Sequence, residues 1–309
     1  MIKVEHLTKY YGERLAVDNI SFEVGKGEIV GFLGPNGAGK TTTMRMLTGY
    51  MAPTSGEAWV AGYSLLDNSL EARQHLGYFA ESVPLYTDMT VRSYLTYLAK
   101  LRGLDGSRIK KRVDDVVEMM QLQEYMDTII GKLSKGYRQR VGIGQAIIHE
   151  PDVLIMDEPT VGLDPIQVAG MRQLIKALGK DHTVLLSTHI LPEASVTCER
   201  AIIIDHGKII AEDTIQNLST MMGGVRRFRL EVSGPSKQVL ERLRRVPGVG
   251  KVNYDGAIYI IESSAEQDIR SKISEAVIQG GWNLLSLDIV EMSLEDVFLK
   301  LTAEEEKAT

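Results

Sequence analysis

The sequence predicts an α/β domain built on a largely parallel sheet, followed by a smaller α+β domain. Three observations predict this. Apolar strand-like runs (Ile29 to Leu33, Val153 to Met156, Thr183 to Leu186, Ala201 to Ile204) alternate with helix-like segments, the signature of strand–helix–strand units. The glycine-rich stretch Gly34-Pro35-Asn36-Gly37-Ala38-Gly39-Lys40-Thr41-Thr42 joins the first of these runs to a helix reading that Gly49 stops. Beyond Met221-Met-Gly-Gly224 the pattern restarts in the order β-α-β-β-α-β, with strands at 226–232, 249–254, 257–262 and 283–290 and helices at 236–245 and 267–279, a ferredoxin-like reading.

Along the chain, residues 1–30 read as short alternating strands with turns at Gly12, Gly25 and Gly27, and Glu57 to Gly62 as another strand of that kind. The period changes at Thr90, a candidate N-cap. Val91, Tyr94, Leu95 and Leu98 line one helix face, and Val113, Val116, Val117 and Met120 repeat that spacing after a candidate cap at Ser107. These define a mostly helical insert over 82–150. Asp164 followed by Pro165 reads as N-cap and first helical residue. The expected organisation is a first domain at 1–217, a linker at 218–225 and a C-terminal domain at 226–309. The last segment carries a short amphipathic helix (Leu294, Val297, Phe298, Leu301) and an acidic tail, Glu304 to Glu306.

The chain has 309 residues, 44% hydrophobic and 25% charged, enough for two domains with a core in each. A net charge of −6 argues against a broad nucleic-acid footprint, and the basic clusters Arg108–Arg112, Arg226–Arg229 and Arg242–Arg245 read as solvated faces. The lone cysteine, Cys198, excludes a disulfide framework or thiolate metal site within the chain and suits a reducing cytosol. The N-terminus is strand-like without a signal-peptide core, and no apolar run approaches the ~18 residues of a membrane span. Membrane work would require spanning helices on a partner.

Chemistry concentrates at the ends of the apolar runs. The glycine-rich stretch matches a phosphate-binding loop: glycines let backbone N–H groups close around an anion and the following helix adds its partial positive charge. Lys40 is placed to reach β- and γ-phosphates, and Thr41 to offer a hydroxyl to Mg²⁺. Val153-Leu-Ile-Met-Asp157-Glu158 is a buried strand ending in two carboxylates, Asp157 suited to holding Mg²⁺ and Glu158 to orienting or deprotonating water. His189 follows another apolar strand, where its imidazole can bond the γ-phosphate or the water. Tyr11 or its neighbour Tyr10 offers a π-face for a purine. His6, His75, His149, His182 and His206 read as surface or structural.

Over residues 1–217 the chain resembles the ATP-binding cassette (ABC) ATPases. Leu133-Ser134-Lys135-Gly136-Tyr137 with Arg138-Gln-Arg-Val resembles the family signature Leu-Ser-Gly-Gly-Gln; Gly162-Leu163-Asp164 resembles the D-loop, Ser187-Thr188-His189 the switch histidine, Tyr11 the adenine-stacking aromatic, and Gly77-Tyr-Phe-Ala-Glu81 the Q-loop. The resemblance implies a P-loop NTPase fold with an antiparallel β subdomain and a helical subdomain, and an ATPase that uses ATP and Mg²⁺. It implies a head-to-tail dimer sandwiching two ATP. In that dimer Ser134 and Gly136 meet the γ-phosphate held by the other subunit, and Asp164 communicates across the interface. The second cassette is another copy or a paralogue.

Two departures stand out. Glu81 replaces Gln: a carboxylate can still ligate a metal but cannot donate an amide hydrogen bond. Lys135 and Tyr137 replace Gly and Gln, Lys135 being either a cation near the other subunit's nucleotide or a solvated side chain.

Within the family, Pro84 to Tyr94, the opening Val4 to Gly12 and the C-terminal extension resemble ABC-2-type exporter subunits of the drug-export and gliding-motility-associated kind. This implies a separate transmembrane permease subunit, docking on the surface after Glu81 and the helical insert, and a peripheral place on the cytoplasmic membrane face. Tyr86 and Met89 are docking candidates, while Tyr94 reads as core. The alternative is a soluble ABC ATPase acting on a cytosolic macromolecular complex. A single cassette, no heptad coiled coil and the acidic balance count against it. The C-terminal domain is read as a dimerisation module, with a small-ligand sensor as the other reading.

Overall fold

The computed structural model describes residues 1–221, 225–264 and 268–290; the expected last amphipathic helix and acidic tail lie outside the described residues. The chain divides into two compact units, 1–214 and 215–309.

The first unit opens with β1 (Ile2–Tyr11) and β2 (Arg14–Val24), each longer than the short strands expected over this region. β3 (Ile29–Leu33), with every residue buried, runs into the glycine-rich loop and then α1 (Lys40–Leu47). β4 (Ser55–Val60), β5 (Tyr63–Ser64) and α2 (Ser69–Gln74) lead to β6 (Leu76–Phe79). The helical insert holds α3 (Val91–Leu101), α4 (Gly106–Met119) and α5 (Lys135–Ile147). β7 (Val153–Asp157), α6 (Pro165–Leu178), β8 (Thr183–Thr188), α7 (Leu191–Thr197), β9 (Arg200–Asp205) and β10 (Lys208–Thr214) complete the unit.

The strands form two sheets. One is antiparallel, in the order β2-β1-β4-β5. The other runs β10-β9-β3-β8-β7-β6, parallel except for β10 at its edge. β3, β7 and β8 are covered on both faces and so read as continuous apolar runs rather than alternations. The two sheets share one core in which Phe22 and Phe32 meet at 5.5 Å between ring centres, with Met44, Leu47, Val60, Ile155 and Ile202 around them. Each fully buried side chain such as Phe32 contributes roughly 1.5–3 kcal/mol of apolar burial.

Caps follow local chemistry. Thr90 accepts from the Ser93 N–H at 3.2 Å, and Asp164 accepts from the Gln167 N–H at 2.9 Å with Pro165 as first helical residue. Ser107 is not a cap: α4 already begins at Gly106 after Asp105. The Arg108–Arg112 cluster is likewise not wholly solvated. The Arg112 side chain is only 12% exposed. It lies against the end of α5, donating to the carbonyls of Ile147 and Ile148 at 2.5 and 3.0 Å, where orphan helix carbonyls need donors. Tyr94 is buried and bonded to Gln145, whereas Tyr86 is exposed and packs its ring near Tyr97.

The second unit begins with α8 (Ile215–Met221), which takes up the first half of the stretch expected as linker. There follow β11 (Val225–Ser233), α9 (Ser236–Leu243), β12 (Val249–Tyr254), β13 (Tyr259–Ser264), α10 (Arg270–Gln279) and β14 (Asn283–Val290). The sheet order β12-β13-β11-β14, antiparallel throughout, is the ferredoxin-like arrangement. Phe228, Leu230, Tyr259 and Ile261 from the sheet pack against Val239, Leu243, Ile273 and Val277 from the helices. Arg242 departs from the solvated reading, since it is half-buried and donates to the Ala276 carbonyl at 2.7 Å.

Candidate functional site

The strand order creates the site. β8 lies between β3 and β7, pairing Leu33 with Thr188 on one side and Asp157 with Ser187 on the other. β6 lies beyond β7. The carboxyl ends of four neighbouring parallel strands therefore deliver, side by side, the glycine-rich loop, His189, Glu158 and the segment containing Glu81, at the edge where open α/β sheets bind ligands.

A cavity of about 740 Å³ opens there. Asn36, Gly37, Gly39, Lys40, Thr41 and Thr42 form its floor, and Tyr11, Glu81, Glu158 and His189 also line it. Gly34, Pro35 and Ala38 complete the loop outside the lining set. Two glycines are dictated by close approach. A Cβ at Gly34 would lie 2.2 Å from the Ile204 carbonyl oxygen, and Gly39, at φ 108°, would bring one within 2.6 Å of the Ala16 carbonyl oxygen. Gly39 precedes α1 and supplies no side-chain cap, which leaves the first N–H groups of the helix without a side-chain acceptor at the point where Lys40, Thr41 and Thr42 line the cavity.

Three side chains interlock. Lys40 is buried, donating to the Gly34 and Pro35 carbonyls at 2.8 and 3.1 Å, and its Nζ lies 3.5 Å from Glu158 Oε1. His189 Nδ1 lies 2.9 Å from both Glu158 oxygens, so Nδ1–H donates and Nε2 is left for another partner. Glu158 is itself held at φ 51°, in the left-handed region, with its N–H bonded to the Ser187 carbonyl at 2.9 Å. Strain of this sort persists where the surroundings over-determine a residue.

Beneath them Asp157 is fully buried, and neither carboxylate oxygen has a hydrogen bond of ordinary geometry; the neighbouring Ser187 Oγ also has none. Burial pushes the Asp157 carboxyl above its ordinary pKa. The nearby Ser187 and Thr41 hydroxyls pull it back, and the carboxylates of Glu158 and Glu81 push it further up. A buried carboxylate with free lone pairs beside hydroxyl oxygens and Glu81 is a hard-oxygen donor set that fits Mg²⁺. Among the described residues no cluster of three or more His, Cys, Asp or Glu could hold a metal by itself.

Of the two candidate tyrosines, Tyr11 lines the cavity and Tyr10 does not. Tyr11 donates its hydroxyl to Met51 Sδ at 3.1 Å, and the Lys9 ammonium sits 5.8 Å from its ring centre. The cavity also recruits Arg14, Leu15, Ala16, Val161 and His206, none of which the sequence reading selected. His206 is exposed and sits at the rim. Its hairpin is stitched to the loop by Gly207, which donates to the Ala38 carbonyl at 3.0 Å and accepts from the Asp18 N–H at 2.8 Å. The signal available in sequence was only proximity of Arg14 to Tyr11.

Ser134, Gly136 and Asp164 are not brought to this cavity. Ser134 caps α5, accepting from the Tyr137 N–H, and with Gly136 and Gln167 it lines a separate pocket of about 240 Å³. Lys135 reaches back over its own chain: a methyl group at Gly162 would lie 2.1 Å from its Nζ.

A family model described as ABC transporter matches residues 17–161. The chain is 36% identical over 303 residues to the bacitracin transport ATP-binding protein BcrA of Bacillus licheniformis, covering 97% of each chain. It is 37% identical over 306 residues to the linearmycin resistance ATP-binding protein LnrL of Bacillus subtilis (strain 168), covering 98% of each. A dimeric ATP-binding cassette solved in a post-hydrolysis state with ADP and Pi superposes with a TM-score of 0.63 at 26% identity, over 70% of this chain and 99% of that one.

Proposed function

The chain belongs to the ABC transporter family as an ATP-binding ATPase subunit, and from that premise we propose that it drives an ABC-2-type membrane exporter through a permease subunit on a separate chain. The observation that carries the reading is the split of the motifs between two faces. Lys40, Glu158 and His189 share one cavity, while Ser134 and Gly136 line another. A chain that holds each half of the site once needs a second cassette, a copy or a paralogue, facing it head to tail.

In this reading Tyr11 stacks on adenine, the Gly34 to Thr42 loop holds the phosphates and Lys40 neutralises them. Ser134 and Gly136 meet the partner's nucleotide, and Asp164 links the two sites. Thr41, Asp157 and Glu81 would hold Mg²⁺, which when bound neutralises phosphate charge. Glu158 orients the attacking water and takes its proton. His189, pinned by Glu158 through Nδ1, presents Nε2 to the water or the γ-phosphate.

The export assignment draws on relatives named for bacitracin transport and linearmycin resistance that match over nearly their whole length. No described helix is long and apolar enough to cross a membrane, so the spans are assigned to the partner and this subunit to the cytoplasmic face of the membrane. Recovery of the chain from gently solubilised native membranes, with identification of what accompanies it, tests this. A stoichiometric partner with about six apolar spans is expected. A chain recovered only from the soluble fraction, active as an ATPase without such a partner, would favour the cytosolic-machine alternative.

A further inference from the structure

Outside the cavity, one buried carboxylate joins three segments of the chain. Glu193, in the first turn of α7, is 7% exposed. Its Oε2 accepts the hydroxyl of Thr160, two residues past Glu158 and itself buried. Its Oε1 lies 3.9 Å from an Arg172 guanidinium nitrogen on α6, the helix that Asp164 caps. The α7 end is anchored in turn: the Ile190 N–H donates to the Thr188 hydroxyl at 3.0 Å, closing the turn that carries His189, and the Glu193 N–H donates to the Ile190 carbonyl at 3.0 Å.

We propose that Glu193 is a positioning residue for ATP hydrolysis, tying the loop after Glu158 to the helix after His189 through Thr160, with Arg172 as its counter-ion. This rests on the reading of Glu158 and His189 as the hydrolytic pair. The physical argument is the cost of a buried charge. A carboxylate removed from water is tolerated only while it keeps a cation and a hydrogen-bond donor. Here the donor comes from the Glu158 loop and the cation from α6, so any sliding between them and α7 exposes that cost. The contact it protects is the 2.9 Å spacing between Glu158 and His189, which are the two residues flanked by Thr160 and Glu193. Glu193 does not line the cavity and touches no bound group. Its influence passes through the loop and the helix.

The test uses the full-length chain with its native partner. Thr160→Val removes only the hydroxyl at nearly constant volume, Thr160→Ser restores it, Glu193→Gln keeps an acceptor for Thr160 but loses the charge facing Arg172, and Glu193→Ala removes both. Steady-state ATPase kinetics and thermal midpoints are measured for each, with Glu158→Gln as the reference. Thr160→Val and Glu193→Ala are expected to lower kcat roughly ten- to hundredfold with KM for ATP changed less than about twofold. Thr160→Ser should stay near wild type, and the Thr160→Val/Glu193→Ala double variant should lose no more than the worse single variant. Unchanged kcat in Thr160→Val, with only the thermal midpoint lowered, would overturn the proposal and leave a packing contact. Should Glu193→Ala not fold, the Thr160 pair carries the test alone. Full turnover in Glu158→Gln would overturn the underlying reading, and inactive Glu158→Gln with fully active Thr160→Val would overturn the positioning role alone.

Discussion

His189 Nδ1 lies 2.9 Å from each oxygen of the Glu158 carboxylate, so one imidazole N–H is shared between both acceptors and the ring plane is fixed relative to the end of β7. An amide in place of the carboxylate has one acceptor oxygen and no charge for Lys40 at 3.5 Å. Glu158→Gln is expected to bind ATP, to hydrolyse it on the order of a hundredfold or more slowly, and to accumulate as a nucleotide-bound dimer on gel filtration. Normal turnover would contradict the role of this carboxylate.

Lys40 is the cation buried in the loop floor, and its two carbonyl bonds orient the ammonium toward the space that phosphates would fill. Lys40→Ala should weaken ATP binding by about a hundredfold or more, the loss of charge-assisted bonds worth roughly 3 kcal/mol. Titration calorimetry with ATP reads this directly. Affinity within threefold or so of wild type would remove Lys40 from the phosphate contacts.

Glu81 lines the same cavity as a third carboxylate near Asp157 and Glu158. Glutamine there keeps an oxygen for a cation and lowers the negative charge facing the phosphates. Glu81→Gln should therefore bind Mg²⁺·ATP at least as tightly as wild type. Abolished binding in the same titration would show that the charge itself is required.

His149 supplies a pH dependence of stability unrelated to catalysis. Its Nε2–H donates to the Leu76 carbonyl at 3.0 Å, and Nδ1 is buried without a partner. Burial, reinforced by the nearby Arg102 charge, pulls its pKa down to about 4. The unfolded chain takes up the proton near pH 6.5 and the folded chain only near 4. Between those values the unfolded state binds more protons, so stability present above about pH 6.5 is lost as the pH falls, by up to about 3 kcal/mol. His149→Gln keeps a donor for Leu76 and cannot titrate there. Its thermal midpoint should fall less between about pH 7 and about pH 5 than that of wild type, and equal slopes would rule out His149 as the source.

Every residue lining the nucleotide cavity lies between Tyr11 and His206, inside the first compact unit. A chain ending at Thr214 should therefore fold and bind ATP with wild-type affinity, measurable by calorimetry and circular dichroism. Loss of self-association in that truncation, with binding retained, would support the dimerisation reading of the C-terminal unit. Loss of ATP binding would mean that the second unit supports the first.

Much of this was legible in the residues because phosphate chemistry is written locally. A loop that must close on an anion needs glycines, a lysine and a helix start within a few positions, and buried parallel strands need uninterrupted apolar runs. Those local demands let the sequence alone predict the α/β unit, the ferredoxin-like order of the second unit and the strand ends that carry Lys40, Asp157, Glu158 and His189. Tertiary structure decided the rest, for reasons of register and long-range pairing. The choice of Tyr11 over Tyr10 turns on the register shift between Val4 and Leu7, where β1 carries one residue more than β2, so alternation counted from Ile2 loses its phase. Arg112 and Arg242 look solvated until a second helix brings its carbonyls to them. Arg14 and His206 enter the cavity only because strand order sets two distant turns beside the glycine-rich loop. The meeting of Thr160, Arg172 and Glu193 likewise exists only once α6 and α7 pack side by side, since no local pattern marks a carboxylate that will be buried by its neighbours.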